Sequence, residues 1–391
     1  MAKTVIVGVS SSVACFKAVQ LVSDLVKMKY DVEVIMTKNA CEFVTPLSFS
    51  SLTKHNVSVD TFDHNIRYEI GHISLAKKAD AFIICPATAN VIAKVVHGIA
   101  DDMLTTTFLA CDCPKIICPA MNTGMYLNPI TQDNLALAKK YGYHIVEPIV
   151  GHLACGDNGL GKLADLETIE ESIAMAVNEK PLKGKKVLIS AGPTVEAIDP
   201  VRFISNHSSG KMGYALARSA RNLGAEVHLV SGPTNLAKPY AVNVYDVQSA
   251  DEMYNQIMKL YPNMDYAIMA AAVADYRPQN IASQKIKKNN QQLTLELTKN
   301  IDILKELGEK KTHQKLCGFA METENALVNG RQKFKNKNCD LLVLNDLFEE
   351  GAGFKADTNV VTLISKDTEN KLDKMSKNDL ADVILHRLIE L

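Results

Sequence analysis

Short apolar runs alternate with longer amphipathic stretches along the first half of the chain. The apolar runs predict strands at 4–9, 31–37, 81–85, 115–118 and 144–148. Residues at helical spacing predict helices at 13–29, 89–97, 101–110, 131–141 and 167–178. This alternation is typical of a parallel sheet covered by helices on both faces.

The second half repeats the pattern after a polar segment at 178–186, which contains Pro and Gly and is typical of a linker. A helix is predicted at 211–223, and strands at 187–192, 226–232, 266–273, 316–322 and 340–346. Domains average about 150 residues, so 391 residues suit two of them. We therefore predict two doubly wound α/β domains, 1–180 and 181–391.

Charge and composition narrow the class of protein. Lys and Arg total 43 against 44 Asp and Glu, a net charge of −1, which argues against a dedicated nucleic-acid binder. No apolar run approaches the roughly 20 residues that span a bilayer, so no membrane partner is expected. The nine cysteines lie mostly in apolar runs, and the Cys111/Cys113 spacing does not suit zinc. This usage predicts a reducing, cytoplasmic location.

A serine-rich loop joins the first strand to the first helix. Gly8 lies near the end of that strand, and the serines at 10–12 follow it. Backbone N–H groups at a helix start bind anions, and hydroxyls add donors. The GxGxxG pattern is missing, so the loop predicts a mononucleotide phosphate site; a serine that merely caps the helix is the alternative. Thr37 ends the second strand and is expected on the same edge.

Three residues of the first half suggest proton transfer or carboxylate binding. His72 precedes a buried strand; histidine exchanges protons near neutral pH, although a lone histidine is more often structural. Asn122 directly follows a strand, where its amide can bind a carboxylate or a flavin edge. Cys155 lies in the glycine-rich stretch 151–164, which predicts a mobile or irregular loop that closes over a substrate. A plain turn with an incidental cysteine is the alternative.

In the second half, a loop at 206–211 connects a strand to a helix. Its Gly210-Lys211 pair looks like a phosphate loop, but Met212 follows where the Walker pattern requires Ser or Thr. Asp275, predicted at the tip of the strand at 266–273, suits a ribose, base or Mg²⁺ contact, or a helix cap. Lys333 and Lys337 are spaced to share one helix face, which is usually exposed to solvent.

The motifs of the first half occur in the order and spacing of a known family. They are GVSSSVACFKA, HISLAKKAD, PATANVIAK, ADDMLTT, PAMNTGMY and ACGDNGLGKL. They resemble the flavin-dependent cysteine decarboxylases, in particular phosphopantothenoylcysteine decarboxylase. The resemblance implies a flavodoxin-like flavoprotein (HFCD) domain that binds FMN. The implied FMN positions are Gly8, Ser10, Ser12, Thr37, Thr88, Asn90 and Thr105.

The same resemblance assigns catalytic roles. His72 handles protons and orients the substrate, Asn122 holds its carboxylate, and Cys155 protonates the enethiol carbon. A carboxylate beta to a saturated thiol has no electron sink. Oxidation of the thiol-bearing carbon by the flavin creates a C=S group that accepts the electrons left by CO₂.

Residues 184–391 resemble phosphopantothenate–cysteine ligase through SAGPTxExIDPVRFISNxSSGKMG, AAVADY, KIKK, GFAxETEN and RQKFKNKNCDLLVLND. This implies a Rossmann-like domain that uses CTP. The carboxylate of phosphopantothenate forms an acyl-cytidylate and pyrophosphate, and the amine of cysteine then displaces CMP. Asn206 is the implied catalytic residue. The implied CTP or substrate contacts are Arg202, Gly210, Lys211, Ala271, Asp275, Lys285, Ile301, Asp302, Ile303, Leu304, Phe319, Lys333 and Lys337.

The whole chain resembles the bifunctional coenzyme A enzymes of bacteria, with three departures. Ser11 stands where the family has Gly, Tyr126 where it has Trp, and Ile301 where it has Pro. The resemblance implies FMN as a cofactor. Mg²⁺ is expected as a second cofactor, with the Asp275 carboxylate as its ligand. The resemblance also implies trimers of the decarboxylase domain and dimers of the ligase domain.

Two other functions are compatible with this fold. One is a catalytically silent flavin-binding regulatory or scaffold protein. The other is a decarboxylase that acts on a peptide cysteine. The presence of His72, Asn122 and Cys155 argues against the first, and the ligase half and the ACGDxGxG segment argue against the second.

Overall fold

The computed structural model describes residues 2–62, 71–287, 293–322, 325–346 and 357–391. The chain divides into two compact units between Asn178 and Glu179. Each unit has its own sheet and its own hydrophobic core. Three positions of the family motifs, Lys288, Thr323 and Glu324, lie outside the described residues.

The first unit is built on a parallel five-stranded sheet. Its strands are β1 (Thr4–Val9), β2 (Asp31–Met36), β3 (Ala81–Ala87), β4 (Lys115–Pro119) and β5 (His144–Ile145). They lie in the order β2-β1-β3-β4-β5, the flavodoxin-like order. A separate antiparallel hairpin follows, formed by β6 (Ile149–His152) and β7 (Asn158–Lys162).

Helices cover both faces of this sheet because the central strands β1 and β3 are buried on both sides. The helices are α1 (Cys15–Lys27), α2 (Pro46–Thr53), α3 (Gly71–Lys78), α4 (Ala89–His97), α5 (Met103–Ala110), α6 (Thr123–Tyr126), α7 (Pro129–Lys140) and α8 (Leu166–Val177), with a 3₁₀ turn at Lys38–Glu42. Helices α1, α2 and α8 pack on one face, and α3, α4, α5 and α7 on the other. Local signals set the ends: the Thr88 side chain caps α4, and Gly98 ends it with a φ of 71°.

The second unit contains an eight-stranded sheet. Its strands are β8 (Lys186–Ala191), β11 (Glu226–Ser231), β12 (Asn243–Asp246), β13 (Tyr266–Met269), β16 (Lys315–Glu322), β17 (Leu341–Asp346), β19 (Val361–Ile364) and β20 (Glu369–Lys371). The spatial order is β12-β11-β8-β13-β16-β17-β19-β20. Numbered along the chain, the six parallel strands follow the Rossmann order 3-2-1-4-5-6, and β19 and β20 add an antiparallel edge.

Among the described residues, five helices flank that sheet and three small ladders lie outside it. The helices are α9 (Lys211–Asn222), α10 (Ala250–Leu260), α11 (Ile303–Lys310), α12 (Ala326–Asn336) and α13 (Lys377–Glu390), with a 3₁₀ turn at Tyr261–Asn263. The ladders pair β9 (Val195–Ala197) with β10 (Phe203–Ser205), β14 (Tyr276–Pro278) with β15 (Leu297–Lys299), and β18 (Thr358–Asn359) with β21 (Met375–Ser376). Helices α9 and α13 share one face, and α10, α11 and α12 pack on the other.

The α/β class and the two doubly wound sheets are therefore confirmed, with three local corrections. The stretch 144–148 is a strand only at His144–Ile145, and 266–273 only at Tyr266–Met269. The glycine-rich stretch 151–164 forms most of an antiparallel hairpin rather than an irregular loop. Among the described helices, none combines the length and apolar character needed to cross a bilayer. Within the same residues all nine cysteines are free thiols.

Candidate active sites

The switch point of the first sheet lies between β1 and β3, where ligands bind in open α/β sheets. Ser10 is fully buried there. Its hydroxyl donates to the Pro86 carbonyl at 2.8 Å and accepts from the Thr88 N–H at 3.0 Å. Ser10 therefore ties the β1 loop to the β3 loop and fixes the width of the switch point.

Four other predicted flavin positions lie at this carboxyl edge. Ser12 is half-buried, and its hydroxyl accepts from the Ala14 N–H at 3.3 Å. Thr37 follows β2 and caps the 3₁₀ turn, Thr88 caps α4, and Asn90 is exposed in the first turn of α4. These neutral side chains, together with the start of α1, form a donor set that fits a phosphate monoester.

The remaining two predicted flavin positions, Gly8 and Thr105, contribute to packing and to helix capping within the fold. A Cβ added to Gly8 would come within 3.0 Å of the Phe82 ring, so glycine there permits close packing. Thr105 is 1% exposed and forms a capping box with Asp102, whose carboxylate accepts from its N–H and its hydroxyl, each at 2.8 Å. Any ligand contact at these two positions remains a prediction.

The hairpin brings two predicted catalytic residues together. The Asn122 amide donates to the Cys155 sulfur at 3.4 Å, and the Cys155 thiol donates to Asp157 Oδ2 at 3.3 Å. The Asn122 carbonyl oxygen accepts from the Gly124 N–H at 2.8 Å, which fixes the side chain. All three side chains are exposed to solvent. Asp157 was not predicted as a site residue, although its position two residues after Cys155 was a usable signal.

Glycines allow strand β7 to lie directly on the loop that carries Asn122. The Met121 N–H donates to the Gly161 carbonyl at 3.0 Å. Gly161 has a φ of 133°, and an added Cβ would lie 2.3 Å from the Met121 carbonyl oxygen. A Cβ on Gly159 would lie 2.3 Å from Thr123 Oγ1. The glycine density of this stretch thus serves close backbone contact.

His72 lies in the first turn of α3 and is half-buried. Because α3 leads into the amino end of β3, its own start lies toward the carboxyl edge of the sheet. Topology therefore puts His72 on the same edge as the serine loop and Asn122. The residues directly before it, 63–70, lie outside the described part of the chain.

Tyr126, which replaces the family's Trp, is buried with a polar partner. Its hydroxyl donates to Glu147 at 2.7 Å, and Lys139 pairs with the same carboxylate at 2.6 Å. Burial raises the pKa of Glu147, but the hydrogen bonds from Lys139 and Tyr126 outweigh it and hold the pKa below its usual range. The substitution keeps an aromatic ring and satisfies the new hydroxyl.

Asp31, Glu33 and His55 also lie close enough to suggest a cation site in this unit. Lys78 already supplies a cation, at 2.9 Å from Asp31 and 2.6 Å from Glu33. His55 Nε2 lies 2.8 Å from Asp31. The geometry is that of an ion-pair cluster.

In the second unit, a cavity of about 530 Å³ opens at the carboxyl edge of the sheet. Most of the predicted ligase positions line it. They are Asn206, Gly210, Lys211, Ala271, Asp275, Ile301, Asp302, Ile303, Leu304, Phe319, Lys333 and Lys337. A cavity of this size suits a nucleotide-sized ligand.

Two predicted ligase positions, Arg202 and Lys285, are not among the lining residues. Arg202 pairs with buried Asp199 at 3.0 Å and donates to the Ile286 carbonyl at 3.2 Å. Burial raises the pKa of Asp199, but hydrogen bonds from backbone N–H groups and the charge of Arg202 outweigh it and lower that pKa. Arg202 thereby anchors the loop next to Lys285, which is exposed. Their contacts with a ligand remain predictions.

Asn206 is held by the loop that follows β13. Its amide nitrogen donates to the Ala272 carbonyl at 3.2 Å and to the Val273 carbonyl at 3.1 Å. Those two bonds identify the amide nitrogen by its acceptors and orient the side chain of Asn206, which lines the cavity. Asn206 itself lies in the segment between Gly192, which follows β8, and Gly210, which precedes α9 and has a φ of 78°.

The cavity is positively charged, with five lysines and two aspartates among its lining residues. Lys333 pairs with Glu322 at 2.5 Å, and Lys337 forms an ion pair with Asp302. Burial raises the pKa of Asp302, but the hydrogen bonds from Lys337 and the Lys305 N–H outweigh it and lower the pKa. The excess of lysine suits a polyphosphate.

Asp275 lies in a loop rather than at a strand tip, because β13 ends at Met269. Its side chain is exposed, and its carbonyl accepts from the Asn300 N–H at 2.8 Å. Asn300 is 6% exposed and also donates to the Ala274 carbonyl at 2.8 Å, so it fixes this loop. Sequence reasoning missed several lining residues, namely Lys299, Asn300, Asn345, Asn359 and Lys377.

Both units match known families. Residues 1–178 match the family described as Flavoprotein, and residues 182–391 match the DNA/pantothenate metabolism flavoprotein C-terminal domain. A "Coenzyme A biosynthesis bifunctional protein CoaBC" of Bacillus subtilis is 47% identical over 394 residues, covering 100% of this chain and 97% of the relative. The chain belongs to this bifunctional coenzyme A biosynthesis family. It is therefore a flavoprotein decarboxylase and a ligase in one chain, acting on small-molecule substrates of that pathway.

A second relative agrees in identity and coverage. The protein of the same description from Vibrio parahaemolyticus is 43% identical over 392 residues, covering 100% of this chain and 98% of the relative. The crystal structure of the C-terminal domain of a CoaBC protein is 43% identical, with a TM-score of 0.47. It covers 54% of this chain and 97% of that one. For members of this family the two activities are phosphopantothenoylcysteine decarboxylase and phosphopantothenate–cysteine ligase.

Proposed function

We propose that residues 181–391 join cysteine to 4′-phosphopantothenate with CTP, and that residues 1–180 decarboxylate the product to phosphopantetheine with FMN. The observation that carries this proposal is the convergence of residues from separate motifs at two carboxyl edges. Asn122 and Cys155 meet at one, and most of the ligase positions line one cavity at the other.

In the ligase half, the lysines hold the phosphates of CTP and neutralise the charge that develops as pyrophosphate leaves. Lys333 and Lys337 come from α12, and Lys211 begins α9. Asn206 contacts the acyl-cytidylate and supports its formation, since its amide is already oriented by two carbonyls. Asp275 is the residue that would hold Mg²⁺, which would neutralise further phosphate charge.

In the decarboxylase half, the serine loop, Thr88 and Thr37 hold the phosphate end of FMN at the switch point. When bound, FMN would supply the reversible two-electron oxidation of the thiol-bearing carbon, and the resulting C=S group is the electron sink for loss of the carboxylate from the neighbouring carbon. Asn122 binds the substrate carboxylate, and His72 orients the substrate and moves its thiol proton. Cys155 on the hairpin delivers a proton to the enethiol carbon from the solvent side.

We further propose a cytoplasmic homo-oligomer with trimeric decarboxylase and dimeric ligase contacts. Exposed apolar side chains in both units support such assembly: Phe16 is 63% exposed on α1, and Phe203 is 58% exposed on β10. Size-exclusion chromatography with light scattering measures the assembly, and a monomer would contradict it.

An absorbance spectrum followed by a turnover assay tests the proposed function. The chain has no Trp, so a flavin band is easy to resolve. We expect a yellow protein that releases pyrophosphate and then CO₂ from CTP, phosphopantothenate and cysteine. A yellow protein without turnover favours the silent flavin-binding alternative, and a colourless protein contradicts the FMN site at the serine loop.

A further inference from the structure

The buried carboxylate of Asp199 connects two segments of the ligase half that lie far apart in the sequence. Asp199 is in the turn between β9 and β10 and is 2% exposed. Its Oδ1 accepts from the N–H groups of Val201 and Arg202, each at 2.8 Å. Its Oδ2 accepts from the Arg202 guanidinium at 3.0 Å and from the Ile286 N–H at 3.1 Å. One oxygen therefore has only local partners, and the other reaches a residue 87 positions away.

A simple turn accounts for only half of these hydrogen bonds. An aspartate in a turn accepts from backbone N–H groups two or three residues further on, and Oδ1 of Asp199 does this. The turn does not need Oδ2. Because a buried carboxylate is costly unless it is paired and hydrogen-bonded, the bonds of Oδ2 to Arg202 and Ile286 are what make this position favourable for an aspartate.

The backbone of Ile286 is held at both of its polar groups. Its N–H donates to Asp199, and its carbonyl accepts from the Arg202 guanidinium at 3.2 Å. The Ala282 N–H also donates to the Ile198 carbonyl at 3.0 Å. These three bonds fasten the segment that contains Ile286 to the turn of the β9–β10 hairpin.

This clamp fixes the backbone directly beside a lysine that has no charged partner. Lys285 precedes Ile286 and is exposed. It forms no ion pair with any residue that the structure describes. By contrast, Lys211, Lys333 and Lys337 of the cavity each pair with a carboxylate. A cation without a protein partner on a fixed backbone suits an anionic ligand, because less conformational entropy is lost on binding.

We propose that Asp199 is a positioning residue of the ligase half, which holds Lys285 in place to bind a phosphate group of a ligase substrate. The hairpin that carries Asp199 leads directly into Asn206, so one short element supports both Lys285 and Asn206. This inference rests on the ligase function proposed above. The phosphate belongs either to CTP or to phosphopantothenate, and the test distinguishes the two.

Hydrogen exchange measures the clamp without depending on the ligase reaction. In Asp199→Asn the side-chain oxygen can still accept from the turn, but the amide nitrogen cannot accept from the Ile286 N–H. In the full-length chain we expect this N–H to exchange about 10-fold faster or more, seen in the peptide 281–287, while β9 and β10 keep their exchange rates. Faster exchange throughout the hairpin, or none at 281–287, would overturn the proposal.

KM values for CTP, phosphopantothenate and cysteine test the dependence on Lys285. Lys285→Met should raise KM for one phosphate-bearing substrate by about 10- to 100-fold, since a charge-assisted hydrogen bond is lost. A rise for CTP assigns the triphosphate, and a rise for phosphopantothenate assigns its phosphate. The KM for cysteine stays unchanged. Asp199→Asn should raise the same KM by about 5- to 30-fold, because Lys285 must then be ordered on binding.

A second variant and two controls accompany these measurements. Ile286→Pro deletes the N–H donor but leaves Asp199 and Arg202 paired, so it should raise the same KM even if Asp199→Asn does not fold. Lys366→Met and Asp367→Asn lie in the exposed turn between β19 and β20 and should behave as the unmutated chain.

The double variant Asp199→Asn/Lys285→Met separates positioning from general support of the fold. If Asp199 acts through Lys285, the double variant is no worse than Lys285→Met alone, whereas independent effects multiply. Multiplied effects, or unchanged KM values in Lys285→Met, would overturn the proposal. Absence of CTP-dependent pyrophosphate release from the unmutated chain would instead contradict the ligase function itself, and the exchange result would stand.

Discussion

Single polar side chains in both sites are oriented by backbone groups before any ligand contact. Asn206 is held by two carbonyls, and Asn122 by the Gly124 N–H. Preorganised amides cost little reorganisation when charge develops in a reaction. The chemistry of each site therefore depends on hydrogen bonds that are lost when a conservative substitution replaces a donor with an acceptor.

Asn206→Asp tests this at the ligase site. The new carboxylate would face the Ala272 and Val273 carbonyls without donors and bring negative charge toward the cavity. We expect formation of phosphopantothenoylcysteine to fall by about 100-fold or more, with the flavin band unchanged. Pyrophosphate release measures the loss. Asn263→Asp, at an exposed position, is the control, and undiminished ligation by Asn206→Asp would refute the placement.

Cys155→Ser tests the proton donor of the hairpin. A serine hydroxyl is a much weaker acid than a thiol, so the reaction should stop after CO₂ loss and accumulate an oxidised enethiol product. Mass spectrometry of the products after one turnover detects it. Cys113→Ser, away from the hairpin, serves as the matched control. Normal turnover by Cys155→Ser would remove the proton-donor role.

His72→Asn tests the predicted catalytic base. Asparagine keeps hydrogen-bonding atoms but cannot exchange protons near neutral pH. We expect CO₂ release to fall by about 100- to 10,000-fold while CTP-dependent ligation continues. The assay supplies phosphopantothenoylcysteine directly and uses His97→Asn as the control. Retained CO₂ release would contradict the assignment of His72.

The motifs predicted which side chains lie close together, but they did not predict the hydrogen bonds that each side chain forms. Asn122 and Cys155 belong to two different motifs and are 33 positions apart in the chain, and their side chains meet in the structure. By contrast, Ser10 and Thr105 turned out to use their hydroxyls inside the protein. A hydroxyl that braces two loops and one that meets a ligand look alike in sequence. Lys377 was missed because its burial arises only from tertiary packing.

At the scale of elements, the hairpin β6–β7 matters most for the decarboxylase site. It carries Cys155 at its turn and lies on the Asn122 loop through the bond between Met121 and Gly161. Leu160 of β7 packs against the hydrophobic core, whereas Val150 of β6 is 69% exposed. Because the contact between Met121 and Gly161 is made by backbone atoms, the position of the hairpin determines where the Cys155 thiol lies relative to Asn122.

Gly159→Ala tests the need for close contact between hairpin and loop. The new methyl group would clash with Thr123 Oγ1 and displace the Cys155 turn. A displacement of about 1 Å can reduce catalysis by about 100-fold, so we expect that loss in CO₂ release with ligation intact. Val150→Ala is the control, because Val150 lies in the same hairpin and its side chain is 69% exposed. Equal activity of both variants would contradict the role of the contact.

Elements bounded by clear local signals were predictable, and those shaped by tertiary contacts were not. The predicted strand at 4–9 and helix at 89–97 agree with the structure at both ends. The apolar run after Met269 reads as a strand, yet its small alanines form the cavity wall instead. Apolar periodicity cannot distinguish a buried strand from a buried loop of small residues.

At the scale of the molecule, the two units carry separate sheets, cores and sites. Substitutions in one unit should therefore leave the activity of the other intact. Each core is formed by residues of its own unit. The expected independence therefore holds for any arrangement of the two units.

Mixing two full-length variants tests this independence. The Cys155→Ser chain still ligates, and the Asn206→Asp chain still decarboxylates. We expect each alone to form almost no phosphopantetheine and the mixture to form it after a lag, because an intermediate made by one chain must then reach the other. Liquid chromatography of the products follows the time course. A mixture as inactive as its components would show that the intermediate does not leave the chain.

The most direct test of the two-site account is the ratio of CO₂ to pyrophosphate released by the unmutated chain from phosphopantothenate, cysteine and CTP. If the ligase site feeds the flavin site, the two products accumulate in equal amounts, with pyrophosphate appearing first. Omission of CTP should abolish both. Omission of cysteine should abolish CO₂ and limit pyrophosphate to a single turnover, because the acyl-cytidylate forms before cysteine reacts. Pyrophosphate without CO₂, or CO₂ formed without CTP, would contradict the account.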